Sequence, residues 1–293
     1  MPAKLVEAAP AKVNLSLRIV GRRPDGYHEL ESLVVFADAG DRLSFAPGGE
    51  LALAVSGPRA AHAGALADNL VIKAARALAA QIPGLVLGSF HLDKSLPVAA
   101  GLGGGSSDAA AALRLIARGN GLAADDARLY EAARATGADV PVCLDPRPRV
   151  MRGIGEKLSA PLALPKLHAV LVNPGVAVAT KLVFAAWRPD AAAKPDLDIA
   201  ALGDAADAER VIALVAGEAN DLEAPAVSLA PVIADALVKL RALPGCKLAR
   251  MSGSGATCFG LFAAAAQANA AAKKLSRSAP GWWTKACTLG AAA

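Results

Sequence analysis

The sequence is poor in the residue types that several classes of protein need. Its 293 residues include only four cysteines, four histidines and 4% aromatic side chains. The cysteines, at positions 143, 246, 258 and 287, lie far apart and form no C-x-x-C pair, which argues against a zinc site and predicts buried, reduced thiols. The scarcity of aromatic side chains leaves few stacking platforms for single-stranded nucleic acid.

The chain also lacks a long apolar run. No stretch approaches the ~18 apolar residues of a membrane span, and residues 1–11 carry Lys4 and Glu7 without the apolar core of a signal peptide. We therefore expect a cytoplasmic protein with no membrane partner. The net charge of +5 suits a small anionic ligand as well as nucleic acid. We expect a small-molecule ligand and no nucleic acid, although charge alone does not decide this.

Hydrophobic periodicity predicts a β-rich first half and an alternating second half. Strands are predicted over 11–20, 30–36, 41–45, 51–55, 88–94, near Lys157, and over 167–172, 247–251, 257–262 and 282–288. Helices are predicted over 69–80, 106–118, 124–135, 180–186, 231–243 and 263–275. Residues 141–148 are predicted as a Pro-rich bridge and 190–209 as a loosely structured surface excursion. The length and a change of pattern near 161–165 predict two domains, 1–163 and 164–293.

One segment carries most of the functional signal. Residues 97–113 read P-V-A-A-G-L-G-G-G-S-S-D-A-A-A-A-L, in which four glycines (101, 103, 104 and 105) precede an alanine-rich helix that is expected to start near Ser106. The unpaired N–H groups at a helix N-terminus attract anions, and Ser106 and Ser107 add hydroxyl groups. The segment therefore predicts a phosphate site after a strand.

Common nucleotide motifs do not fit this segment. It lacks the lysine of a Walker A loop, and Ser106 occupies the place of the last glycine in G-x-G-x-x-G. No kinase H-R-D or D-F-G motif occurs. A flexible turn remains the alternative, and the second Gly/Ser loop, residues 251–257, is by itself most often a tight turn.

Five motifs together resemble the GHMP kinase family over essentially the whole chain. They are A-K-V-N-L at 11–15, P-D-G-Y-H at 24–28, G-L-G-G-G-S-S-D at 101–108, G-A-D-V-P at 137–141 and the loop at 251–257. The resemblance implies an α+β fold, with an N-terminal domain like domain 2 of ribosomal protein S5, a C-terminal ferredoxin-like domain and an active site between them. It further implies ATP-dependent phosphorylation of a small-molecule alcohol. The first, second and fourth motifs resemble the branch that acts on a cytidine diphosphate-linked methylerythritol in the non-mevalonate isoprenoid pathway.

The resemblance also implies roles for individual residues. Asp139 would be the base that accepts the hydroxyl proton, and Lys12 beside it would keep the carboxylate charged and neutralise phosphate charge. ATP would be bound by Pro97, Ala99, Ala100, Gly101, Leu102, Gly103, Gly104, Gly105, Ser106 and Ser107, with Asn69, Leu70 and Lys94 near the adenine and ribose. Mg²⁺ is expected with the ATP, without assigned ligands. Without the family resemblance, Asp139 would be interpreted as a carboxylate in a turn and Lys12 as a solvated lysine on a strand.

The implied acceptor site depends on aromatic side chains. Tyr27 and Phe184 would sandwich a cytosine ring whose polar edge His28 would bind. Further substrate contacts are expected from Asn14, Ile154, Gly253 and Ser254. The chain departs from the branch at Ala179, which lacks a hydroxyl group, and at the bulky, basic segment 146–152. By residue type alone, Tyr27 and His28 would be a turn pair and Phe184 a core residue.

Two other functions and, third, a purely structural role stay open at this level. Another GHMP kinase, acting on mevalonate, homoserine or a sugar, would not need the Y-H pair with Phe184. A non-catalytic nucleotide- or RNA-binding protein with an S5-like fold would leave Asp139 and the second Gly/Ser loop unused. For the predicted kinase, a monomer or weak homodimer is expected.

Overall fold

The computed structural model describes residues 4–189 and 196–290. Its strands are β1 (Leu5–Asn14), β2 (Arg18–Arg22), β3 (His28–Pro47), β4 (Ala52–Ser56), β5 (Gly88–Asp93), β6 (Arg149–Gly153), β7 (Lys157–Leu158), β8 (Leu167–Asn173), β9 (Cys246–Met251), β10 (Cys258–Phe262) and β11 (Trp283–Gly290). Its helices are α1 (Leu70–Ala79), α2 (Gly104–Gly119), α3 (Ala127–Thr136), α4 (Val140–Leu144), α5 (Thr180–Ala186), α6 (Ile199–Gly203), α7 (Ala208–Ala216), α8 (Glu223–Leu229), α9 (Val232–Arg241) and α10 (Ala265–Ser278). None of the described helices has the length and apolar character needed to cross a bilayer.

Most predicted elements are present, and the differences have local causes. The helix expected to start near Ser106 starts at Gly104, because Gly103 adopts φ +59° and its carbonyl accepts the Ser107 N–H at 2.8 Å. The predicted strands 30–36 and 41–45 are one strand, β3. Its Gly40 lies where a Cβ atom would be 2.4 Å from the Ala9 carbonyl oxygen, so only glycine permits this close pairing.

Three further predictions were wrong in part. The predicted strand 11–20 is divided between β1 and β2. The expected Pro-rich bridge 141–148 contains most of α4, whose Pro141 occupies an early helical position that needs no N–H donor. The expected loose excursion contains α6 and the start of α7, each begun by an aspartate that accepts a backbone N–H. Residues 190–195 of that prediction lie outside the described residues.

The chain divides into two units that alternate along the sequence. Unit 1 contains the described residues of 1–12, 40–98 and 103–146, and unit 2 those of 13–39, 99–102 and 147–290. The strand β3 contributes to both, since residues 28–39 belong to unit 2 and 40–47 to unit 1. The boundary predicted at residue 163 stays a prediction.

Unit 1 places α2 over a small sheet. The strand β5 pairs antiparallel with residues 42–47 of β3 and parallel with β4. The stacked rings of Phe45 and Phe90, 4.6 Å apart, contribute to its interior. The helix α2 contacts α1, α3 and α4, and its buried face is mostly alanine, which lets these helices approach closely. The N-terminus of α2 is thereby fixed next to the end of β5.

Unit 2 is built on an antiparallel sheet. The strand β8 pairs with β10 on one side and with β11 on the other, and β10 also pairs with β9. The apolar core between this sheet and its helices includes Val170, Leu237, Leu240, Met251 and Phe262. The loop 252–257 joins β9 to β10 at one end of that sheet.

Candidate active site

The glycine-rich segment forms a turn that leads into α2. Left-handed conformations occur at Ala99 (φ +51°), Gly101 (φ +72°) and Gly103 (φ +59°). Alanine rarely adopts such a conformation, and in folded proteins strain of this kind concentrates at ligand sites. No side chain caps α2, so the N–H groups of its first turn are left for an outside acceptor such as a phosphate oxygen.

The second Gly/Ser loop fastens the first half of this turn within unit 2. The Ser252 hydroxyl donates to the Gly101 carbonyl oxygen at 2.9 Å and accepts the Asn14 N–H at 3.1 Å. The Thr257 N–H donates to the Ala100 carbonyl oxygen at 3.1 Å. A Cβ atom on Gly253 would be 3.0 Å from the Gly101 carbonyl oxygen, so the backbones approach closely there. The loop therefore does more than connect two strands.

An ion pair lies beside the second half of the turn within unit 1. The Lys12 ammonium is 3.1 Å from Asp139 Oδ2. Lys12 is buried, with 4% of its side chain exposed, whereas Asp139 keeps 37% of its side chain exposed. A Cβ atom on Gly103 would lie 3.1 Å from Lys12 Cβ and Cε, so the lysine stem runs directly against the turn. A partly exposed carboxylate is thus held next to the candidate phosphate loop.

The position of Asp139 bears on its two interpretations, a catalytic base and a turn carboxylate. It stands at the N-cap of α4, where an aspartate commonly caps the helix, but its side chain makes no capping hydrogen bond. At the C-terminal end of α4, the Arg114 guanidinium donates to the Cys143 carbonyl oxygen at 2.7 Å and so helps to hold the helix in place. Burial, followed by the Asp139 charge, raises the pKa of the Cys143 thiol to about 12, so this thiol is not the acid–base group. The Asp139 carboxylate is available for chemistry.

Lys94 is occupied by two buried carboxylates. Its ammonium is 2.6 Å from Asp41 Oδ2 and 2.6 Å from Asp108 Oδ2. Asn69 is also engaged locally, because its side-chain oxygen accepts the Val71 N–H at 3.0 Å and caps α1. The direct adenine and ribose contacts expected of Lys94 and Asn69 stay predictions.

The expected base pocket is centred on His28 in unit 2. Its ring stacks on Phe184 with centroids 5.2 Å apart and meets Trp187 edge-on at 5.5 Å. Burial, assisted by the charge of Arg22, lowers the pKa of His28, which favours the neutral ring at pH 7. Tyr27 is 61% exposed and makes no ring contact within the described part of the chain. The predicted Tyr27–Phe184 sandwich therefore stays a prediction, whereas the structure does bring His28 and Phe184 together.

The remaining expected substrate residues occupy ordered positions. The Asn14 amide donates to the Ser32 hydroxyl at 2.7 Å, and the Ser254 hydroxyl lies 2.8 Å from that of Thr180. Thr180 thus provides a hydroxyl group next to Ala179, which has none. The N–H of Ile154 donates to Glu156 at 2.7 Å.

The basic segment 146–152 is used structurally. Arg152 binds the Glu31 carboxylate at 2.6 Å, and Arg149 donates to the Ser159 carbonyl oxygen at 2.8 Å. Glu31 is buried; burial favours its neutral form, but the Leu197 N–H and the neighbouring arginines outweigh this and lower its pKa.

Sequence reasoning missed four residues at these sites: Asp41, Asp108, Trp187 and Ser252. Two had a readable signal, since Asp108 ends the motif G-G-G-S-S-D and Trp187 lies three residues after Phe184, directly after the end of α5. Asp41 had none, because its partner Lys94 is 53 residues away in sequence.

Comparison with known proteins identifies the class. Residues 69–145 match the family model for the GHMP kinase N-terminal domain, and residues 195–281 match the model for the GHMP kinase C-terminal domain. A homoserine kinase from Cytophaga hutchinsonii shares the fold with a TM-score of 0.73 at 18% identity, over 100% of this chain and 96% of that one. The chain belongs to the GHMP kinase family, and the predicted α+β fold class is confirmed.

More similar relatives define the branch. The 4-diphosphocytidyl-2-C-methyl-D-erythritol kinase of Rhodopseudomonas palustris strain ATCC BAA-98 / CGA009 is 58% identical over 292 residues, covering 97% of each chain. The corresponding kinase of Bradyrhizobium diazoefficiens is 56% identical over 298 residues, covering 99% of each chain. A crystal structure of a 4-(cytidine 5'-diphospho)-2C-methyl-D-erythritol kinase superposes with a TM-score of 0.78 at 39% identity, over 98% and 99% of the two chains. The predicted resemblance to this branch is confirmed.

Proposed function

We propose that this protein transfers the γ-phosphoryl group of ATP to the 2-hydroxyl group of 4-diphosphocytidyl-2-C-methyl-D-erythritol, a step of the non-mevalonate route to isoprenoid precursors. The observation that carries the proposal is the Lys12–Asp139 pair, 3.1 Å apart and packed against Gly103 of the phosphate loop. A GHMP kinase with this pair has the cation, the carboxylate and the anion cradle that phosphoryl transfer requires.

The chemistry assigns one task to each group. Asp139 accepts the proton of the acceptor hydroxyl as its oxygen forms a bond to the γ-phosphorus. The bond between that phosphorus and the β,γ-bridging oxygen breaks, and ADP leaves with the electron pair. Lys12 orients the Asp139 carboxylate and offsets the charge on the transferred group. The loop binds the phosphates through backbone N–H groups.

We propose that Mg²⁺ arrives with the ATP. Within the described residues no group of three or more histidine, cysteine, aspartate and glutamate side chains could hold a metal ion. Mg²⁺ keeps several waters and is commonly bound by substrate phosphates with one or two protein ligands, so this donor set fits a metal carried by the nucleotide. The metal would neutralise charge on the phosphate oxygens.

The His28 pocket supports a base-bearing acceptor. A neutral imidazole offers both a donor and an acceptor to the polar edge of cytosine, and the Phe184 ring supplies an apolar face. Binding energy from the base would place the distant hydroxyl group for reaction, which a small alcohol without a base could not obtain.

A substrate panel tests the proposal. ADP release should be measured with diphosphocytidyl methylerythritol, free methylerythritol, mevalonate, homoserine and galactose. We expect turnover only with the cytidine-linked alcohol. Efficient turnover of one of the other alcohols would show that the protein is a GHMP kinase of another branch. RNA binding with a steep salt dependence and no turnover would indicate a non-catalytic binding protein.

Replacing His28 should affect the acceptor and spare the nucleotide. We expect His28→Ala to raise KM for the cytidine substrate by about tenfold or more, because a site built to hydrogen-bond a base loses discrimination without its partner. KM for ATP should stay nearly unchanged. Steady-state kinetics with each substrate varied in turn measure both constants, and equal KM values in variant and parent would remove His28 from the pocket.

Replacing Trp187 should weaken the same pocket through the orientation of His28. We expect Trp187→Ala to raise KM for the cytidine substrate by a few-fold to about tenfold, the usual worth of an aromatic pair. Trp187→Phe should restore most of the affinity. Because Trp282 and Trp283 are the other tryptophans, a fluorescence change on adding CDP should persist in Trp282→Phe and vanish in Trp187→Phe. An unchanged signal in Trp187→Phe would contradict this role.

We also propose that the protein acts in the cytoplasm as a monomer or weak homodimer without nucleic acid. Sedimentation equilibrium over a wide concentration range tests the assembly state.

A further inference from the structure

Three charged side chains are buried beneath the first turn of α2, in the interior of unit 1. The side chains of Lys94, Asp41 and Asp108 are 5%, 0% and 3% exposed. A Cβ atom on Gly104 would be 3.4 Å from the Lys94 ammonium and 3.7 Å from Asp41 Oδ2. This charged cluster therefore touches the residue that opens α2 from the side facing the protein interior.

The two carboxylates of the charged cluster are bonded differently. Asp41 uses both oxygens, because Oδ1 accepts the N–H groups of Ser95 and Leu96 at 2.6 and 2.8 Å. Asp108 Oδ1 is buried and has no hydrogen-bond partner among the described residues. If all three groups are charged, one negative charge stays uncompensated in the interior, which is unfavourable. A proton on the free oxygen of Asp108 removes that charge.

The electrostatic surroundings agree with this geometry. Burial raises the pKa of Asp108 to about 7, and the charge of Asp41 adds to the effect while Lys94 opposes it. Burial lowers the pKa of Lys94, but the two carboxylates outweigh it and the lysine stays charged. Of the helices packed on α2, α4 presents the Cys143 thiol, which burial keeps neutral, and the charged groups that act on Asp108 are Lys94 and Asp41.

We propose that Asp108 is a positioning residue for ATP, holding Lys94 beneath Gly104 and taking up one proton from solvent when the triphosphate binds the first turn of α2. The proposal rests on the proposed function, since it requires that the loop bind ATP. An anion above the turn repels a second negative charge below it, so the bound state favours protonated Asp108. The neighbouring Ser107 hydroxyl is also fully buried and without a hydrogen-bond partner in the described structure.

The sign of the resulting pH dependence follows from linkage. Binding raises the pKa of Asp108, so ATP affinity increases as pH falls from 8.5 to 6. Each unit by which binding raises this pKa is worth about tenfold in affinity across that range. Asp108→Asn keeps an oxygen for Lys94 but cannot titrate. Between pH 8.5 and 6, the ATP affinity of the parent protein should therefore rise by about tenfold more than that of the variant for each unit by which binding raises the pKa of Asp108.

Calorimetry with ATP at saturating Mg²⁺, without acceptor, tests the proposal on the full chain. The matched control is Asp125→Asn, which makes the same change at an exposed position of unit 1 and should keep the parental pH dependence. Identical pH dependence in Asp108→Asn and parent would overturn the proposal and leave the kinase function intact. Absence of ATP binding at every pH would overturn both.

A second measurement needs no variant. Titrations of the parent protein near pH 7 in Pipes and in Tris, which differ in ionisation enthalpy, count the protons exchanged on binding. We expect net uptake of a substantial fraction of one proton per ATP. No uptake, or release, would overturn the proposal even if Asp108→Asn fails to fold.

Discussion

Asp139→Asn should bind ATP nearly as the parent protein does and lose turnover by about 10²- to 10⁴-fold, the usual contribution of a general base. The asparagine keeps the shape of the side chain 3.1 Å from Lys12 but cannot accept the hydroxyl proton. The loss should appear in kcat and kcat/KM alike, because the missing interaction belongs to the transition state.

Single-turnover kinetics at saturating substrates and calorimetry with ATP measure the two quantities separately. Asp139 makes no capping hydrogen bond, but its replacement removes the carboxylate beside the buried Lys12 ammonium, so thermal unfolding should show a lower melting temperature that leaves the variant folded at assay temperature. A kcat close to that of the parent would exclude Asp139 as the base.

Gly103→Ala should reduce kcat/KM by about 10²-fold, a typical result of displacing catalytic groups by ~1 Å. Gly103 adopts φ +59°, and its new Cβ atom would lie 3.1 Å from two carbons of Lys12. Relief of that contact moves either the lysine away from Asp139 or the loop away from its phosphate-binding conformation.

The control for backbone strain is Gly121→Ala. Gly121 has a similar φ of +67°, and no atom lies within 4 Å of the position that the new methyl group would take. Both variants should lose similar stability, roughly 1–2 kcal/mol for an alanine in the left-handed region, as thermal unfolding would report. Only Gly103→Ala should lose activity; equal kinetic effects in the two variants would show that the contact with Lys12 is unimportant.

The sequence predicted the local features of the site well. The Gly-rich loop and the helix after it follow from residues adjacent in the chain, as do the limits of α5 and, to within one residue, those of α1. The resemblance of the five motifs to the GHMP kinase family also predicted that Lys12 and Asp139 lie beside each other. No local pattern links these residues, which are 127 positions apart in the sequence. The structure then showed them 3.1 Å from each other.

Other features depend on contacts that a single sequence does not encode visibly. Residues 11–20 alternate as one strand would, yet the pairing of β2 with β3 divides them. No sequence pattern indicated that Lys94 pairs with Asp41 and Asp108, and its expected nucleotide contact stays a prediction. Nothing in the residue type distinguishes a lysine that contacts a ligand from one that is paired with carboxylates in the interior.

The alternation of the two units along the chain sets an order for their completion during synthesis. All described residues of unit 1 have been synthesised once the ribosome has added residue 146. The sheet of unit 2 is complete only after β11 has been synthesised, because β11 pairs with Phe36 and Ala37 of β3. At about 5–20 residues per second, the ribosome adds the remaining part of the chain over about 7 to 30 seconds. During that interval Phe36 and Ala37 of β3 lack their pairing with β11. The nascent chain therefore exposes an unpaired strand edge, which chaperones would have to protect.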